Sequence, residues 1–423
     1  MLTIPRIKEN PQAIADALKI RNKDFSKELF AVVETDNERI AVQNKLDACL
    51  AESNELAKSI GALYKAGKQN EADGAKNRAA ELKEESRVLD TQVDEIKVRL
   101  DKLLSEIPNV PHTSVPAGRS ESDNLFIRGN DIQYALPEGF MPHWELAKKY
   151  NIIDFELGNK ITGAGFPVFV GKGAKLQRAL ITFFLAEAEK AGYTEYLPPL
   201  MVNKESGFGT GQLPDKEGQM YHMTVDDLYM IPTAEVPVTN IYRDVILEEN
   251  DFPIKMCAYS ACFRREAGSY GAHVRGLNRL HQFDKVEIVR VEHPDHSYQV
   301  LDEMVAHVES LVQKLGLKYR IIRLCGGDMG FTSALTYDFE VYSAGQDKWL
   351  EVSSVSNFES FQANRLKLRF KPKGEKKTVL AHTLNGSALA LPRIMAAILE
   401  NYQTADGIKI PEVLVPYTGF DFI

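Results

Sequence analysis

From Ala75 onward the residues Ala79, Leu82, Ser86, Leu89, Val93, Ile96, Leu100 and Leu103 recur at alternating steps of three and four. That spacing is the seam of a heptad repeat and predicts a long helix from about Ala75 to Ile107. A rougher stripe precedes it, through Val32, Val33, Ile40, Leu46, Leu50, Leu56, Ile60 and Leu63, with Gly67 and Gly74 between the two as breakers. No proline interrupts Lys27 to Ile107. Two helices folded back on each other as an antiparallel coiled-coil arm follow, the second on the order of 50 Å long at ~1.5 Å per residue. Pro108 and Pro111 stop that helix, and the polar stretch to Asp131 reads as a linker. The expected division is a helical domain over 1–107, a linker over 108–131 and a second domain over 132–423.

Beyond Met141 the pattern mixes two periods. Leu176 to Ala191 and His296 to Leu315 read as helices, while Tyr319 to Leu324, Tyr337 to Tyr342 and Lys348 to Val355 are β-rich runs. Neither a phosphate loop nor a strand-linked G-x-G-x-x-G is present, so a nucleotide here is held mainly by side chains.

Charge narrows the choice of partners. Fifty-one Lys and Arg against 59 Asp and Glu leave a net charge of -8, which excludes a basic nucleic-acid coat and makes any such contact local. Between Lys58 and Lys83 the balance reverses, with Lys58, Lys65, Lys68, Lys76, Arg78 and Lys83 facing only Glu71, Asp73 and Glu81. A phosphate backbone could dock on Lys58, Lys65, Lys68, Lys76 and Arg78; a spacing or oligomerising coiled coil is the other reading. The run Arg365, Lys367, Arg369, Lys371, Lys373, Lys376 and Lys377 reads as a solvated loop within reach of the same ligand. Four cysteines without paired spacing fit a reducing cytosol and no zinc knuckle, and His293-Pro294-Asp295-His296 reads as a solvated turn, so no zinc is assigned. Met1 to Lys19 mixes charges among its apolar residues, and no run approaches the ~18 apolar residues of a membrane span. A cytoplasmic protein with no membrane partner is expected.

Three strings carry chemistry. Phe263-Arg264-Arg265-Glu266-Ala267-Gly268-Ser269-Tyr270, continued by Arg275 to Glu287 with Phe283 inside it, reads as two basic strands joined by a glycine-containing turn. Such a hairpin sets guanidinium forks, a carboxylate and an aromatic ring on one surface. Thr383 to Glu400 reads as a polar turn entering a small-residue helix whose apolar face carries Arg393, either a structural pair or an anion ligand. Glu351-Val352-Ser353-Ser354 alternates as a strand, so Glu351 and Ser353 share a face. Carboxylate and hydroxyl oxygens beside polyphosphate suit Mg²⁺.

Together these strings resemble the class II aminoacyl-tRNA synthetases, and within them the bacterial-type seryl-tRNA synthetases. The resemblance covers essentially the whole chain: Arg6-Ile7-Lys8-Glu9-Asn10-Pro11, the helical arm, Gly192 to Pro199 like motif 1, Phe263 to Glu287 like motif 2, and Thr383 to Ile394 like motif 3. It implies an α+β fold, with an antiparallel sheet of six to seven strands flanked by helices, in a homodimer. It also implies ATP-dependent activation of L-serine to seryl-adenylate and transfer to tRNA(Ser), and to tRNA(Sec) where present. Arg264, Glu351 and Arg393 would be catalytic, with Arg264 on the α-phosphate and Arg393 on the γ-phosphate. Arg265, Glu266, Phe283, Val352, Ser353 and Ser354 would complete the ATP site, Phe283 stacking on adenine, while Glu351 and Ser354 would hold Mg²⁺. Thr233, Ala234, Glu235, Glu287 and Ser387 would surround serine.

The chain departs from that family's pattern at Leu335, where many relatives carry lysine, and at Ala272-His273-Val274, where many carry Arg-Asp-Thr. These put in doubt a polar contact near the site and the loop's contact with the acceptor stem. A ligase that loads an amino acid onto a carrier protein would not need the arm. A non-catalytic tRNA-binding relative would not need Arg264, Glu351 and Arg393.

Overall fold

The computed structural model describes residues 1–266 and 275–423. The Ala272-His273-Val274 departure lies outside the described residues. Two compact units are present: Met1–Lys19 with Lys23–Pro108, and Ile20–Asn22 with Asn109–Ile423.

In the first unit, α1 (Ile4–Glu9) and α2 (Pro11–Leu18) each begin with a proline in the first turn, where its missing N–H costs nothing. Asn10 caps the second, its Oδ1 accepting from Ala13 N at 2.9 Å. The arm is α3 (Ser26–Lys65) and α4 (Gln69–Glu106), of 40 and 38 residues and so about 60 and 57 Å long. Gly67, at φ +73°, makes the turn between them. Gly74, expected to share that role, lies inside α4 instead: one left-handed residue suffices to reverse the chain, and a helix tolerates an isolated glycine at about 1 kcal/mol. On α4 the predicted seam is the packed one, with Leu82, Val93, Ile96 and Leu100 buried. On α3 it runs through Leu29, Val32, Leu46 and Cys49, while Ile40 and Leu50 are exposed. The rough stripe had drifted off the packed face because the seam includes the polar Asp36, held at 2.8 Å by both Lys8 Nζ and Arg39 Nη2. Arg99–Glu38, Arg78–Glu52 and a Tyr64–Asp73 hydrogen bond cross between the two helices and fix their register.

The second unit is built on one sheet. Its strands, in chain order, are β1 (Leu125–Gly129), β2 (Thr194–Glu195), β3 (Ile254–Phe263), β4 (Gln282–Glu292), β5 (Tyr319–Arg323), β6 (Leu335–Ser343), β7 (Lys348–Asn357) and β8 (His382–Ala390). They lie in the order β1-β5-β6-β7-β8-β4-β3-β2 and are antiparallel throughout except β2, which runs parallel to β3. Among the described residues the sheet thus has eight strands, one more than the upper expectation. The extra edge comes from β1, which lies in the stretch read as linker: Leu125–Gly129 is polar-flanked and short, yet pairs with β5. Where a polar turn is expected to enter the helix over 383–400, residues 383–390 form a buried strand and the helix begins only at Leu391.

Helices α5 (Lys172–Lys190), α6 (Ser297–Lys314) and α7 (Leu391–Asn401) cover one face of the sheet, where Leu180, Phe184, Val286, Ile288, Val308, Phe339, Val355 and Ile398 form the main core. Leu335 is 4% exposed within that core. The hydrocarbon there belongs to the packed face, and its neighbour Thr336 takes the other. Arg365, expected in a solvated loop, is buried at 6% and donates to the Phe208 and Leu213 carbonyls. Burial brings its guanidinium down to about 10.

Candidate active site

On the face opposite the main core, cross-strand pairing sets polar side chains in a row. Glu287 on β4 faces Ser387 on β8, Ser356 on β7 faces Asn385, and Asp338 on β6 faces Ser354. Residues paired this way point to the same side. Glu287 is 2% exposed, and three donors converge on its Oε2: Lys285 Nζ at 2.7 Å, Thr233 Oγ1 at 3.3 Å and Ser387 Oγ at 3.5 Å. A cation and two hydroxyls keep this buried carboxylate compensated, which an isolated charge there would require. Lys285, two positions back on the same strand face, has no role in the motif reading; its alternation with Glu287 about the buried Val286 is the signal for it.

Glu235 stands at the start of the short helix Glu235–Thr239, its N–H bonded to Thr233 Oγ1. Its carboxylate accepts from Gln362 Nε2 at 2.6 Å and Gln212 Nε2 at 3.4 Å. Burial, reinforced by Glu287, raises its pKa to about 7. Ala234 is fully buried beside it and offers only backbone. Thr233, Ala234, Glu235, Glu287 and Ser387 are thereby brought into one polar pocket.

Arg264 and Glu266 leave the ends of the long strands rather than lying on them, since β3 stops at Phe263 and β4 begins at Gln282. The Arg264 guanidinium lies 5.2 Å from the Phe283 ring centroid, and its Nε donates to Pro232 O at 3.4 Å, next to Thr233. Glu266, at φ +48°, is paired with Arg279 at 2.9 Å. Arg265 is exposed, with its backbone N–H on Gln219 O.

The Glu351 run differs from the expectation. Pairing jumps from Phe339↔Ser353 to Glu340↔Glu351, so Val352 is an extra residue in a β-bulge. The bulge resets the alternation. Ser354 Oγ comes to 3.5 Å from Glu351 Oε1, while Ser353 Oγ turns to the Ser387 carbonyl at 2.6 Å and Val352 packs in the core. Arg393, half-buried at the start of α7, donates from Nη1 to Glu351 O at 2.7 Å and from Nε to Asn278 O at 3.0 Å.

Asp338 was not singled out from the sequence. It is 8% exposed, its Oδ1 has no hydrogen-bond partner, and burial together with Glu351 pushes its pKa well above the usual carboxylate range. An orphaned carboxylate oxygen beside Glu351 and Ser354 is a hard-oxygen donor set that fits a divalent cation.

On the arm, Lys58, Lys65, Lys68, Lys76 and Arg78 are all exposed. Lys68 pairs with Glu71, and Arg78 with Glu52 and Glu81. Such exposed pairs are screened by solvent and yield readily to a polyanion.

Comparison with known proteins bears on these features together. Residues 1–111 match the seryl-tRNA synthetase N-terminal domain, and residues 221–402 the class II tRNA synthetase core domain (G, H, P, S and T). The serine–tRNA ligase of Salinibacter ruber is 49% identical over 99% of this chain and 98% of its own length. That of Chlorobaculum parvum is 47% identical over 100% of both. Among solved structures, seryl-tRNA synthetase from Pyrococcus horikoshii complexed with ATP superposes with a TM-score of 0.91 at 33% identity, covering 100% of this chain and 99% of that one. Full-length identity at this level leaves neither the carrier-loading nor the non-catalytic reading standing: the chain belongs to the serine–tRNA ligase family of class II aminoacyl-tRNA synthetases.

Proposed function

We propose that the polar face of the sheet activates serine with ATP, and that the observation carrying this reading is the buried Glu287 with its Lys285, Thr233 and Ser387 donors, flanked by the Arg264–Phe283 pair. Serine binds with its ammonium toward Glu235 and its hydroxyl toward Glu287 and Thr233. Its carboxylate oxygen attacks the α-phosphorus of ATP, forming the acyl-phosphate bond as the bond to pyrophosphate breaks. Arg264 neutralises charge growing on the α-phosphate and Arg393 that on the leaving end, while Phe283 stacks on adenine and Glu266 borders it. No side-chain nucleophile is required; positioning and charge stabilisation do the work. Glu351, Ser354 and Asp338 would hold Mg²⁺, which when bound supplies positive charge between phosphates. The terminal ribose hydroxyl of tRNA(Ser), and of tRNA(Sec) where present, then attacks the seryl carbonyl, forming the ester as the acyl-phosphate bond breaks and AMP leaves.

In this reading the first unit is the tRNA-binding domain, gripping phosphates through Lys58, Lys65, Lys68, Lys76 and Arg78. The protein works as a cytoplasmic homodimer. Among the described residues no helix is long and apolar enough to cross a membrane. Serine-dependent ATP–pyrophosphate exchange tests the reading. It predicts exchange with serine, little with alanine or threonine, and a large loss in Arg264→Lys, because an ammonium cannot reproduce the planar fork. Exchange at the parent rate in Arg264→Lys would move the nucleotide site elsewhere.

A further inference from the structure

His143 and Glu400 are completely buried. The imidazole Nε2 accepts the backbone N–H of Leu277 at 2.8 Å, so the neutral ring carries its proton on Nδ1 and donates it to Glu400 Oε1 at 2.7 Å. Gly276, at φ +69°, lies so close that a Cβ there would stand 2.2 Å from His143 Nε2. Glycine is thus required for the chain to approach the ring. The same Glu400 carboxylate accepts from His143 N, Gln346 Nε2, Gly345 N and Ser343 Oγ. Gln346 Oε1 in turn accepts from Asn278 Nδ2 at 2.8 Å, and the Asn278 carbonyl accepts from Arg393 Nε at 3.0 Å.

We infer that His143, Glu400 and Gln346 are positioning residues for the ATP site, holding Leu277 and Asn278 so that Arg393 is aimed at the triphosphate. None of the three faces the serine pocket. The inference rests on the proposed role of Arg393. Two limbs of the network converge on adjacent residues: the ring holds the N–H of Leu277, and Gln346 holds the side chain of Asn278. Anchoring Leu277 through its N–H and Asn278 through its side chain restrains the backbone on the approach to the Asn278 carbonyl, and that carbonyl orients the guanidinium. An arginine restrained in this way spends little entropy when phosphate arrives, which is the advantage of a preorganised charge.

The test is steady-state ATP–pyrophosphate exchange by the full-length protein, with KM for ATP and for serine measured separately. His143→Asn keeps a donor toward Glu400 and loses the acceptor for Leu277. It should raise the ATP KM or lower kcat by about tenfold, as expected for one lost buried hydrogen bond, and leave the serine KM unchanged. His143→Gln carries an amide oxygen out to the Nε2 position and should recover part of that loss. Gln346→Ala, at a half-buried position, provides a second variant with the same expected split if His143→Asn fails to fold. Equal rises in both KM values, or parent kinetics in folded His143→Asn or Gln346→Ala, would overturn the inference. Arg393→Lys run alongside separates the two claims. If it retains parent kinetics, the role of Arg393 falls; if it is impaired while the network variants are not, only the network proposal falls.

Discussion

Glu287 shows at the scale of one residue how specificity arises from burial. Its carboxylate sits among Lys285, Thr233 and Ser387. A substrate lacking a hydroxyl leaves part of that polar group unpaired, and such sites discriminate by roughly 10⁴-fold, far beyond what apolar fit achieves. Glu287→Ala should therefore cut kcat/KM for serine at least tenfold and narrow the serine-to-alanine ratio, read by exchange kinetics; an unchanged serine dependence would remove Glu287 from the pocket. Glu235 adds a pH signature. With its pKa raised from 4.5 to about 7, the folded protein retains a proton that the unfolded chain has released, so stability falls as pH rises through that window. Serine's ammonium favours the ionised form, so serine affinity should increase from pH 6 to 8. Calorimetric titration of Glu235→Gln should show that dependence flattened. The residue types at these positions were legible in the sequence because carboxylates and arginines in ordered strings have few other uses. Asp338, Lys285 and His143 were not, because their roles depend on neighbours brought from other strands and helices.

Among the elements, the arm was the most legible and β7 the least. A heptad seam repeats one contact many times, so single errors such as Gly74 or Ile40 do not obscure it, whereas one inserted residue in a strand reverses every face assignment beyond it. The bulge at Val352 did this, joining Glu351 to Ser354 instead of Ser353. The arm depends on its seam. Leu82→Ala, at a fully buried position of α4, should destabilise the hairpin by about 2–5 kcal/mol. Hydrogen exchange should then quicken along α3 and α4, with serine-dependent pyrophosphate exchange unaffected; unchanged protection would mean the seam contributes little. Replacing Lys58, Lys65, Lys68, Lys76 and Arg78 with neutral residues should weaken tRNA binding and flatten its salt dependence, since fewer phosphate contacts release fewer counterions. A parent salt slope would place the tRNA contact elsewhere.

For the whole molecule, labour is divided between two compact units. The second unit carries every residue assigned to serine and ATP; the arm carries the basic residues assigned to tRNA, whose duplex grooves are read through shape and backbone. That division follows from the chain's charge, since a protein of net charge -8 binds a polyanion only where it concentrates its cations. The most direct measurement compares serine-dependent pyrophosphate exchange with tRNA(Ser) charging in a protein whose arm, residues 27–107, has been removed. The account predicts exchange close to the parent rate and charging reduced to background. Charging at the parent efficiency, or exchange lost along with the arm, would contradict it.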